Sequence, residues 1–434
     1  MRVLHLTERL DFAGAGTNLP LYLKFANHDL FDVTMGSFFE SDLRRKEILE
    51  GGGIRTHDFY GEIENLAKYL QEQGVDILHI SGGELPGGHL KPFAETAKKS
   101  KVKVVAHLNF FAHGDGDGLD LTFLQNKTMA WKYMRKNGIT PERFWERCRI
   151  LPVPVDVERI DALKPSDDEI LRIKDRLGIA DSPTICRLGR PDPFKWSYFL
   201  LYAFRLLRVK VSGAKLVIIG GIPNNVRKKI DSLGLSSHVV DVGEVSDDEV
   251  IRTLHSIDVL AHSSRIGESF SAAIAQAMAC HKPVVVNSTP WADNGQLEQI
   301  DKWVDGLLAT TAEEYADCCV KLLKDPFTRK RMGDNGYNKV RVANSGRATT
   351  RLMEKFYVDA LVKKGFIYGD SLAGVTPPGE LSSWPIEYRW RLKESGYTVN
   401  RISGKLLKCL WKGTLLFPSL REAIPADGIT ASII

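Results

Sequence analysis

The chain has no CxxC pair, no long apolar run and no strong excess of one charge, and each absence excludes a class of protein. Its cysteines lie inside apolar segments, at positions 148, 186, 280, 318, 319 and 409. This usage predicts reduced thiols rather than zinc ligands or disulfides. No stretch reaches the roughly 18 apolar residues that a spanning helix needs. A net charge of +5 over 434 residues is compatible with anionic ligands or lipid headgroups, and it argues against nucleic acid.

Two familiar ligand motifs are incomplete. The stretch "DFAGAGTNLP" (11–20) has Gly14 and Gly16, but Leu19 stands where a dinucleotide fingerprint needs its third glycine. The two glycines still permit close approach of the backbone to a ligand. The "DGDGLD" of "HLNFFAHGDGDGLD" (107–120) lacks the spacing and the terminal Glu of a calcium loop. The sequence therefore predicts neither an NAD enzyme nor a metal site.

The opening "MRVLHLTERL" lacks the apolar core of a signal peptide, so we expect a cytoplasmic protein.

Apolar strand-like runs alternate with helical patterns twice along the chain. The runs are "RVLHLT" (2–7), "VTMGSF" (33–38), "ILHIS" (77–81), "KVVAHL" (103–108), "TICRLG" (184–189), "KLVIIGG" (215–221), "VVDVG" (239–243), "VLAHSS" (259–264) and "PVVVNS" (283–288). Continuous Val/Ile/Leu runs between helices indicate parallel sheets covered on both faces. The connector "LPVPVDVERI" (151–160) separates the two sets. We predict two doubly wound Rossmann-like domains facing a cleft.

Cationic side chains follow the first strand of the second set. In "RLGRPDPFKW" (187–196), Arg190 and Lys195 belong to one loop at a strand end. Open α/β sheets bind ligands beyond the carboxyl ends of their strands. Two cations there suit a diphosphate, which accepts charge-assisted hydrogen bonds. The alternative is a solvated loop with ordinary charges.

A single carboxylate and a single amide mark the segment "GESFSAAIAQAMAC". We expect a helix to begin near Ser269, so that the amides of Ser269, Phe270 and Ser271 face a phosphate. Glu268 would repel that phosphate and is better placed to accept hydrogen bonds from hydroxyls. Gln276 follows two turns into an otherwise apolar helix, where an unpaired buried amide costs roughly 1–3 kcal/mol. A ribose diol or a backbone group of the core is its expected partner.

Several motifs in the correct order resemble one family. "GESFSAAIAQAMACHKPVVV" is similar to the Glu-x7-Glu segment of retaining GT-B glycosyltransferases of family 4, the glycogen-synthase-like group, and "RLGRPDPFKW" to their phosphate-binding segment. The turn after "VVDVG", with Val245, and "NGQLEQIDKWVDGLLA" (294–309), similar to a GGxPE stretch followed by a GLL turn, also match. The resemblance spans about residues 1 to 365 and is strongest in the second half.

The resemblance implies transfer of a hexose from a UDP- or GDP-sugar to a hydroxyl acceptor on a glycan, a lipid-linked sugar or a small molecule, with no metal or other cofactor. It assigns diphosphate binding to Arg190 and Lys195, and donor binding to Glu268 and its neighbours, with Gln276 in place of the second glutamate at the ribose. The family's first-domain histidine aligns with Asn109, and His107 and His113 are alternatives. A non-catalytic nucleotide-sugar binder and a sugar-nucleotide 2-epimerase remain as alternative functions.

The predicted domains are 1–155 on the acceptor side and 156–350 on the nucleotide-sugar side, with 351–370 a helix returning to the first domain and 371–434 a C-terminal extension. "SLAGVTPPGELSSWP" (371–385) predicts a loop. "RISGKLLKCLWKGTLLFP" (401–418) is basic and apolar, which suits a peripheral helix or a membrane-surface contact. We expect the extension to be dispensable for donor binding.

Overall fold

The computed structural model describes residues 1–10, 14–81, 90–110, 112, 118–193, 195–289, 293–367 and 379–394. The chain divides into two compact units: unit 1 is Met1–Asp156 with Val342–Pro385, and unit 2 is Val157–Arg341 with Ile386–Ile434. The first boundary lies one residue from the predicted 155. The first segment of unit 2 ends at Arg341 rather than at the predicted 350. The chain re-enters unit 1 at Val342, before the helix that was predicted to start at 351.

Unit 1 is built on a parallel sheet with the strand order β3-β2-β1-β4-β5-β6-β7 among its described residues. The strands are β1 (Arg2–Thr7), β2 (Asp32–Ser37), β3 (Thr56–Asp58), β4 (Ile77–Ser81), β5 (Val104–Asn109), β6 (Leu121–Leu124) and β7 (Cys148–Ile150). The helices are α1 (Gly14–Lys24), α2 (Leu43–Gly51), α3 (Ile63–Glu72), α4 (Lys91–Lys99), α5 (Lys127–Asn137) and α6 (Pro141–Arg147).

Unit 2 repeats the architecture with the strand order β10-β9-β8-β11-β12-β13. Its strands are β8 (Thr184–Leu188), β9 (Lys215–Ile219), β10 (Val239–Gly243), β11 (Val259–His262), β12 (Val284–Asn287) and β13 (Gly306–Ala309). Its helices are α7 (Val157–Ala162), α8 (Asp167–Arg176), α9 (Phe199–Lys210), α10 (Asn224–Ser232), α11 (Asp247–Ser256), α12 (Ala272–Ala279), α13 (Gln296–Gln299), α14 (Ala312–Lys324) and α15 (Pro326–Ala343).

Two further helices follow α15 in the chain. Helix α16 (Gly346–Lys363) belongs to unit 1, where its apolar side chains pack against α1 and the sheet. Helix α17 (Gly379–Glu394) contributes its first residues to unit 1 and its residues from Ile386 onward to unit 2. The loop prediction for 371–385 is therefore wrong from Gly379 onward: Pro385 lies inside a helix. The basic segment 401–418 lies outside the described residues.

The cores follow from the sequence pattern. The central strands of both sheets are buried along nearly their whole length, as continuous aliphatic runs require, whereas the edge strand β10 is partly exposed. Helices begin at side-chain caps, such as the capping box of Ser166 with Glu169 at α8 and of Thr311 with Glu314 at α14. No helix among the described residues has the length and apolar character needed to cross a membrane.

Candidate functional site

The loops that carry the predicted phosphate ligands leave the sheet of unit 2 at one point. Strand β8 pairs with β9 on one side and with β11 on the other, and β10 and β12 lie beyond these. The chain thus winds outward in one direction from β8 and in the other from β11. This reversal is the topological switch point at which open parallel sheets bind ligands. The loops after Leu188 and after His262 begin side by side at this point.

Lys195 and Glu268 form an ion pair across these two loops. The Lys195 Nζ donates to Glu268 Oε2 at 3.0 Å and to Oε1 at 3.3 Å. The lysine side chain is 42% exposed, whereas that of the glutamate is only 10% exposed. Burial raises the pKa of the Glu268 carboxyl, and the ammonium of Lys195 offsets part of that rise. The pair therefore presents a positive charge outward while its negative charge stays inside.

The backbone around Glu268 is fixed by a neighbouring loop. Gly267 has φ of +69°, and a Cβ there would lie 1.5 Å from the carbonyl oxygen of Asp293, so only glycine fits. The amide of Glu268 donates to Gln296 Oε1 at 3.1 Å, and the amide of Gly295 donates to the carbonyl of Glu268 at 2.7 Å. Gln296 is fully buried, and its Nε2 donates a hydrogen bond to Thr289 Oγ1 at 2.7 Å. Glu268 is thus held by two backbone contacts besides Lys195.

Arg187 is a site residue that the sequence analysis missed. It lies inside β8, is 4% exposed, and its guanidinium carbon lies 3.8 Å from the centroid of the Trp196 ring. Its Nη1 also donates to the carbonyl of Gly189 at 3.2 Å. Burial lowers the pKa of Arg187 to about 10, although the Glu268 carboxylate offsets part of that fall. The guanidinium therefore stays charged at neutral pH. Arg187 therefore holds both ends of the loop that carries Arg190 and Lys195.

His262 lies on the other side of Glu268. Its Nε2 is 3.7 Å from Glu268 Oε1, and the described residues offer this nitrogen no hydrogen-bond partner. Burial lowers the pKa of His262 to about 3, with Arg187 and Lys195 adding to the effect. The imidazole is accordingly neutral, and the contact is not an ion pair. The position of this histidine at the end of the "VLAH" strand was the available signal in the sequence.

Arg190 and Val245 are not part of this contact network. Arg190 is exposed and, within the residues that the structure describes, its guanidinium forms no hydrogen bond or ion pair. The backbone just before it packs closely on Gly220, where a Cβ would lie 2.5 Å from the Gly189 carbonyl oxygen. Val245 is partly exposed and follows β10, the edge strand that β9 and β8 separate from β11. Arg190 therefore remains available to a ligand at the switch point, whereas Val245 lies two strands away.

The helix after Glu268 begins later than the pattern predicted. Helix α12 starts at Ala272, with Ser271 as its N-cap: the Ser271 Oγ accepts from the amide of Ile274 at 3.4 Å. The amide of Ser271 donates to Gln299 Oε1 at 2.8 Å. The amides of Ser269, Phe270 and Ser271 are therefore not those of the first helical turn. A serine cap ends the preceding loop three residues beyond the expected start.

Gln276 is less buried than its apolar neighbours implied. It lies in the second turn of α12 and is partly exposed, whereas Ala275 and Ala277 are buried. Its side chain has no hydrogen bond to the part of the chain that the structure describes. The amide is thus not a buried polar group of the core, and the expected core partner is not found. A partly exposed amide remains free to meet a ligand.

Unit 1 contributes Asn109 and the two glycines of the sequence analysis. Asn109 is the last residue of β5 and is 2% exposed, and His107 on the same strand is 3% exposed. Gly14 and Gly16 lie in the first turn of α1 rather than in a loop, which corrects the predicted glycine loop. His113 lies outside the described residues.

The "DGDGLD" stretch is described only from Gly118, and its last aspartate has a structural role. Asp120 accepts from the amide of Val105 at 2.8 Å and from Lys364 at 2.8 Å. Across the described ranges, no group of three or more His, Cys, Asp or Glu side chains is arranged to hold a metal ion.

Three comparisons place this architecture among known proteins. Residues 170–339 match the family model described as Glycosyl transferases group 1. The chain is 27% identical over 230 residues to a GDP-mannose-dependent alpha-(1-6)-phosphatidylinositol monomannoside mannosyltransferase of Mycobacterium tuberculosis, covering 51% of this chain and 57% of the relative. It is 26% identical over 243 residues to a trehalose synthase of Pyrococcus horikoshii, covering 52% of this chain and 55% of that protein. The chain thus spans little more than half the length of the curated relatives it matches.

The solved structures extend the likeness to both units. HepE of Anabaena, crystallised in complex with UDP, has a TM-score of 0.69 at 18% identity over 82% of this chain and 100% of its own. The same protein is also known in complex with UDP-glucose. Both units of the present chain are Rossmann-like α/β units with parallel sheets, as in the GT-B glycosyltransferases that resemble it. Lys195 and Glu268 both lie within residues 170–339, the stretch that matches the family model.

Proposed function

We propose that the protein is a retaining, metal-independent glycosyltransferase of family 4 that moves a hexose from a nucleotide sugar to a hydroxyl acceptor. The observation that carries the proposal is the Lys195–Glu268 pair at the switch point of unit 2, 3.0 Å apart and inside the group 1 domain. Lysine at the surface of this pair meets the diphosphate of the donor. Glu268 accepts hydrogen bonds from hydroxyls of the sugar.

The chemistry follows from where charge develops. The bond between the anomeric carbon and the diphosphate oxygen breaks, and a bond to the acceptor oxygen forms on the same face of the sugar. The acceptor's proton passes to the leaving diphosphate, so no side-chain base is needed. Negative charge on the leaving group is stabilised by Lys195 and by Arg190, an exposed residue of the same loop. These cations make a divalent metal unnecessary, so activity is expected to persist in EDTA.

The donor is a UDP- or GDP-sugar. The mycobacterial relative is named for GDP-mannose, and the Anabaena structure holds UDP-glucose. The two donors share the diphosphate that Lys195 and Arg190 suit, and they differ in the base. The acceptor is a hydroxyl of a glycan, a lipid-linked sugar or a small molecule. The basic segment 401–418 is either a peripheral helix or a membrane-surface contact.

The experiment is a panel of UDP- and GDP-sugars, followed first by thermal shift and then by release of UDP or GDP in buffer with EDTA. Donor hydrolysis serves as the readout because it needs only water as acceptor. We expect stabilisation by at least one donor, slow release of its nucleoside diphosphate, and loss of both in Lys195→Met but not in Lys228→Met, an exposed lysine of the same unit.

Other outcomes would identify other functions. Stabilisation by a donor without transfer or hydrolysis would indicate a nucleotide-sugar binder. An epimeric sugar in the products would indicate a 2-epimerase. Full dependence on added manganese or magnesium would refute the metal-independent mechanism, and no response to any donor would refute the proposal as a whole.

A further inference from the structure

Helix α17 holds a short loop of unit 2 through one arginine. Arg391 Nη1 donates to the carbonyls of Leu297 at 3.0 Å and Ile300 at 3.1 Å, and Nη2 donates to Asp301 Oδ1 at 3.0 Å. Its Nε is fixed by Glu387, one helical turn earlier, at 3.0 Å. The arginine side chain is only 16% exposed. These four guanidinium contacts are made with Glu387 of α17 and with the segment 294–301, which we call the α13 segment.

A tyrosine of the same helix reaches the other end of the α13 segment. The Nδ2 of Asn294 donates to the Tyr388 hydroxyl at 3.2 Å. The Oδ1 of Asn294 accepts from the amide of Thr289 at 3.0 Å, which joins this contact to the end of β12. Arg391 and Tyr388 therefore hold the two ends of a segment that contains a single four-residue helix, α13.

The α13 segment in turn holds the backbone of the donor site. Gln296 accepts from the amide of Glu268, and Gly295 donates to the Glu268 carbonyl. Gln299 makes a matching pair of contacts with Ser271, accepting from its amide at 2.8 Å and donating to its carbonyl at 3.1 Å. Four hydrogen bonds thus connect the α13 segment to the loop between Glu268 and α12.

Helix α13 is too short to be stable without the contacts from α17. A helix of one turn is unstable by itself, because helix nucleation is unfavourable and its last carbonyls have no partner within the helix. The carbonyls of Leu297 and Ile300 lie at that end, and both residues are fully buried. A guanidinium fits because its planar fork donates to several acceptors at once, whereas an ammonium is a compact point charge.

We infer that Arg391 is a positioning residue for the donor site, acting through the α13 segment on Glu268 and Ser271, and that α17 is required for tight nucleotide binding. The inference rests on the proposed function in so far as the site binds a nucleotide diphosphate. It reverses the expectation that the chain from 371 onward is dispensable for donor binding. Residue 391 also lies beyond the stretch that the family model matches, which ends at 339.

The test compares Arg391→Met, Arg391→Lys and Trp390→Gln in the full chain. Trp390 is 57% exposed on the same helix and serves as the matched control. Hydrogen–deuterium exchange is measured for peptides covering 266–272 and 294–301, with β1 as internal reference. Calorimetric titration then measures Kd for UDP and for GDP. We expect Arg391→Met to speed exchange at least tenfold in both peptides but not in β1, and to raise Kd about tenfold.

The lysine variant separates positioning from simple loss of folding. Arg391→Lys should recover part of the protection in both peptides and part of the affinity. With an active donor in hand, KM should rise in Arg391→Met more than kcat falls, because the reacting groups themselves remain. Unchanged exchange at 266–272 in Arg391→Met, or an equal effect of Trp390→Gln, would overturn the inference.

The two proposals fail in different ways. If wild-type protein binds neither UDP nor GDP, the proposed function is in error, while the exchange experiment still decides whether α17 holds the Glu268 loop. If nucleotides bind well and Arg391→Met binds them as tightly as wild type, the inference is wrong and the proposed function stands.

Discussion

The two sheets have the same winding, yet the polar residues inside them differ in kind. In unit 1, His5 and His79 lie side by side in register on β1 and β4, with ring centroids 4.8 Å apart, and both are buried. In unit 2, the corresponding strands β8 and β11 bring together Arg187, Lys195 and Glu268, which carry charge.

The surroundings explain the difference. His79 Nδ1 contacts the hydroxyl of Tyr357 on α16, and His5 stacks on Tyr22 of α1, so neutral rings fill an otherwise apolar face. In unit 2, Lys195 and Glu268 lie on the loops that leave the strands, and Lys195 reaches solvent, whereas Arg187 is buried near the end of β8. A shared fold therefore positions strand ends, while the loops decide whether those ends bind an anion.

Removal of Lys195 should have the largest effect. Lys195→Met is expected to weaken transfer or donor hydrolysis by about 2–4 kcal/mol, because a charged donor at a developing charge is lost. It also leaves the Glu268 carboxylate buried without its partner, so thermal stability should fall. Lys195→Met combined with Glu268→Gln should regain stability but not activity. Equal turnover in Lys195→Met and wild type would show that the site at the switch point of unit 2 takes no part in the reaction.

Acid should destabilise the protein through its buried histidines. Burial lowers the pKa of His5 to about 3, whereas an unfolded histidine titrates near 6.5. Between these values the unfolded chain binds a proton that the folded chain does not. The stabilising contribution is therefore complete above about pH 6.5 and is lost as pH falls toward 3, by about 1.4 kcal/mol per pH unit.

His5→Phe should remove that share of the pH dependence, about 2 kcal/mol between pH 6.5 and pH 5. Urea unfolding of unit 1, followed by exchange of β1 amides, measures it at both pH values. His28→Phe, at an exposed histidine of the same unit, is the control and should leave the slope unchanged. An unchanged slope in His5→Phe would mean that His5 takes up a proton in the folded protein.

Arg187 is buried like the histidines of unit 1. It affects the site through its contacts with Gly189 and Trp196. Arg187→Met should raise the Kd for UDP or GDP by roughly tenfold, about 1–2 kcal/mol, because the Gly189 contact and the Trp196 stacking are both lost. Trp196→Phe keeps an aromatic face and should lose less. Arg205→Met, at an exposed arginine of α9, should change nothing. A larger loss in Trp196→Phe than in Arg187→Met would contradict this order.

Gln276 should give the smallest effect. Because its amide is partly exposed, Gln276→Ala should leave thermal stability nearly unchanged and weaken donor binding by up to about 1 kcal/mol. Gln276→Glu should change affinity by less than about 1 kcal/mol in either direction, since a better hydroxyl acceptor also brings a negative charge toward the diphosphate. Titration calorimetry with the donor found in the panel decides between these values. No change in either variant would leave Gln276 without a role at the site.

Much of the fold could be predicted because local pattern reports local burial. The nine predicted runs all fall on strands, from Arg2–Thr7 to Val284–Asn287. Strands β3 and β7, with three residues each, and β6, with four, were missed because such short runs give little periodic signal. The "GLL" at the start of β13 was expected to be a turn because of the family resemblance; the structure pairs β13 in parallel with β12.

The candidate site divides in the same way. Lys195 and Glu268 were identifiable by their places after strands, and their motif carried the resemblance. The late start of α12 was not, because Ser269 and Ser271 are both acceptable N-caps; in the structure Ser271 is the cap, and its Oγ accepts from the amide of Ile274. Arg187 was missed because an arginine inside an apolar strand carries no sign of what it will face.

By itself, the sequence determined the alternation of strands and helices, the two-unit organisation and the residue types at the strand ends, since these depend on neighbours within a few positions. Only the tertiary structure decided which strand ends meet. Lys195 and Glu268 are 73 residues apart and touch because the sheet order puts β8 beside β11. Arg391 lies beyond the last strand and reaches the α13 segment because α17 folds back onto unit 2. Such pairings depend on the crossover order and on packing between distant segments, which local periodicity does not encode.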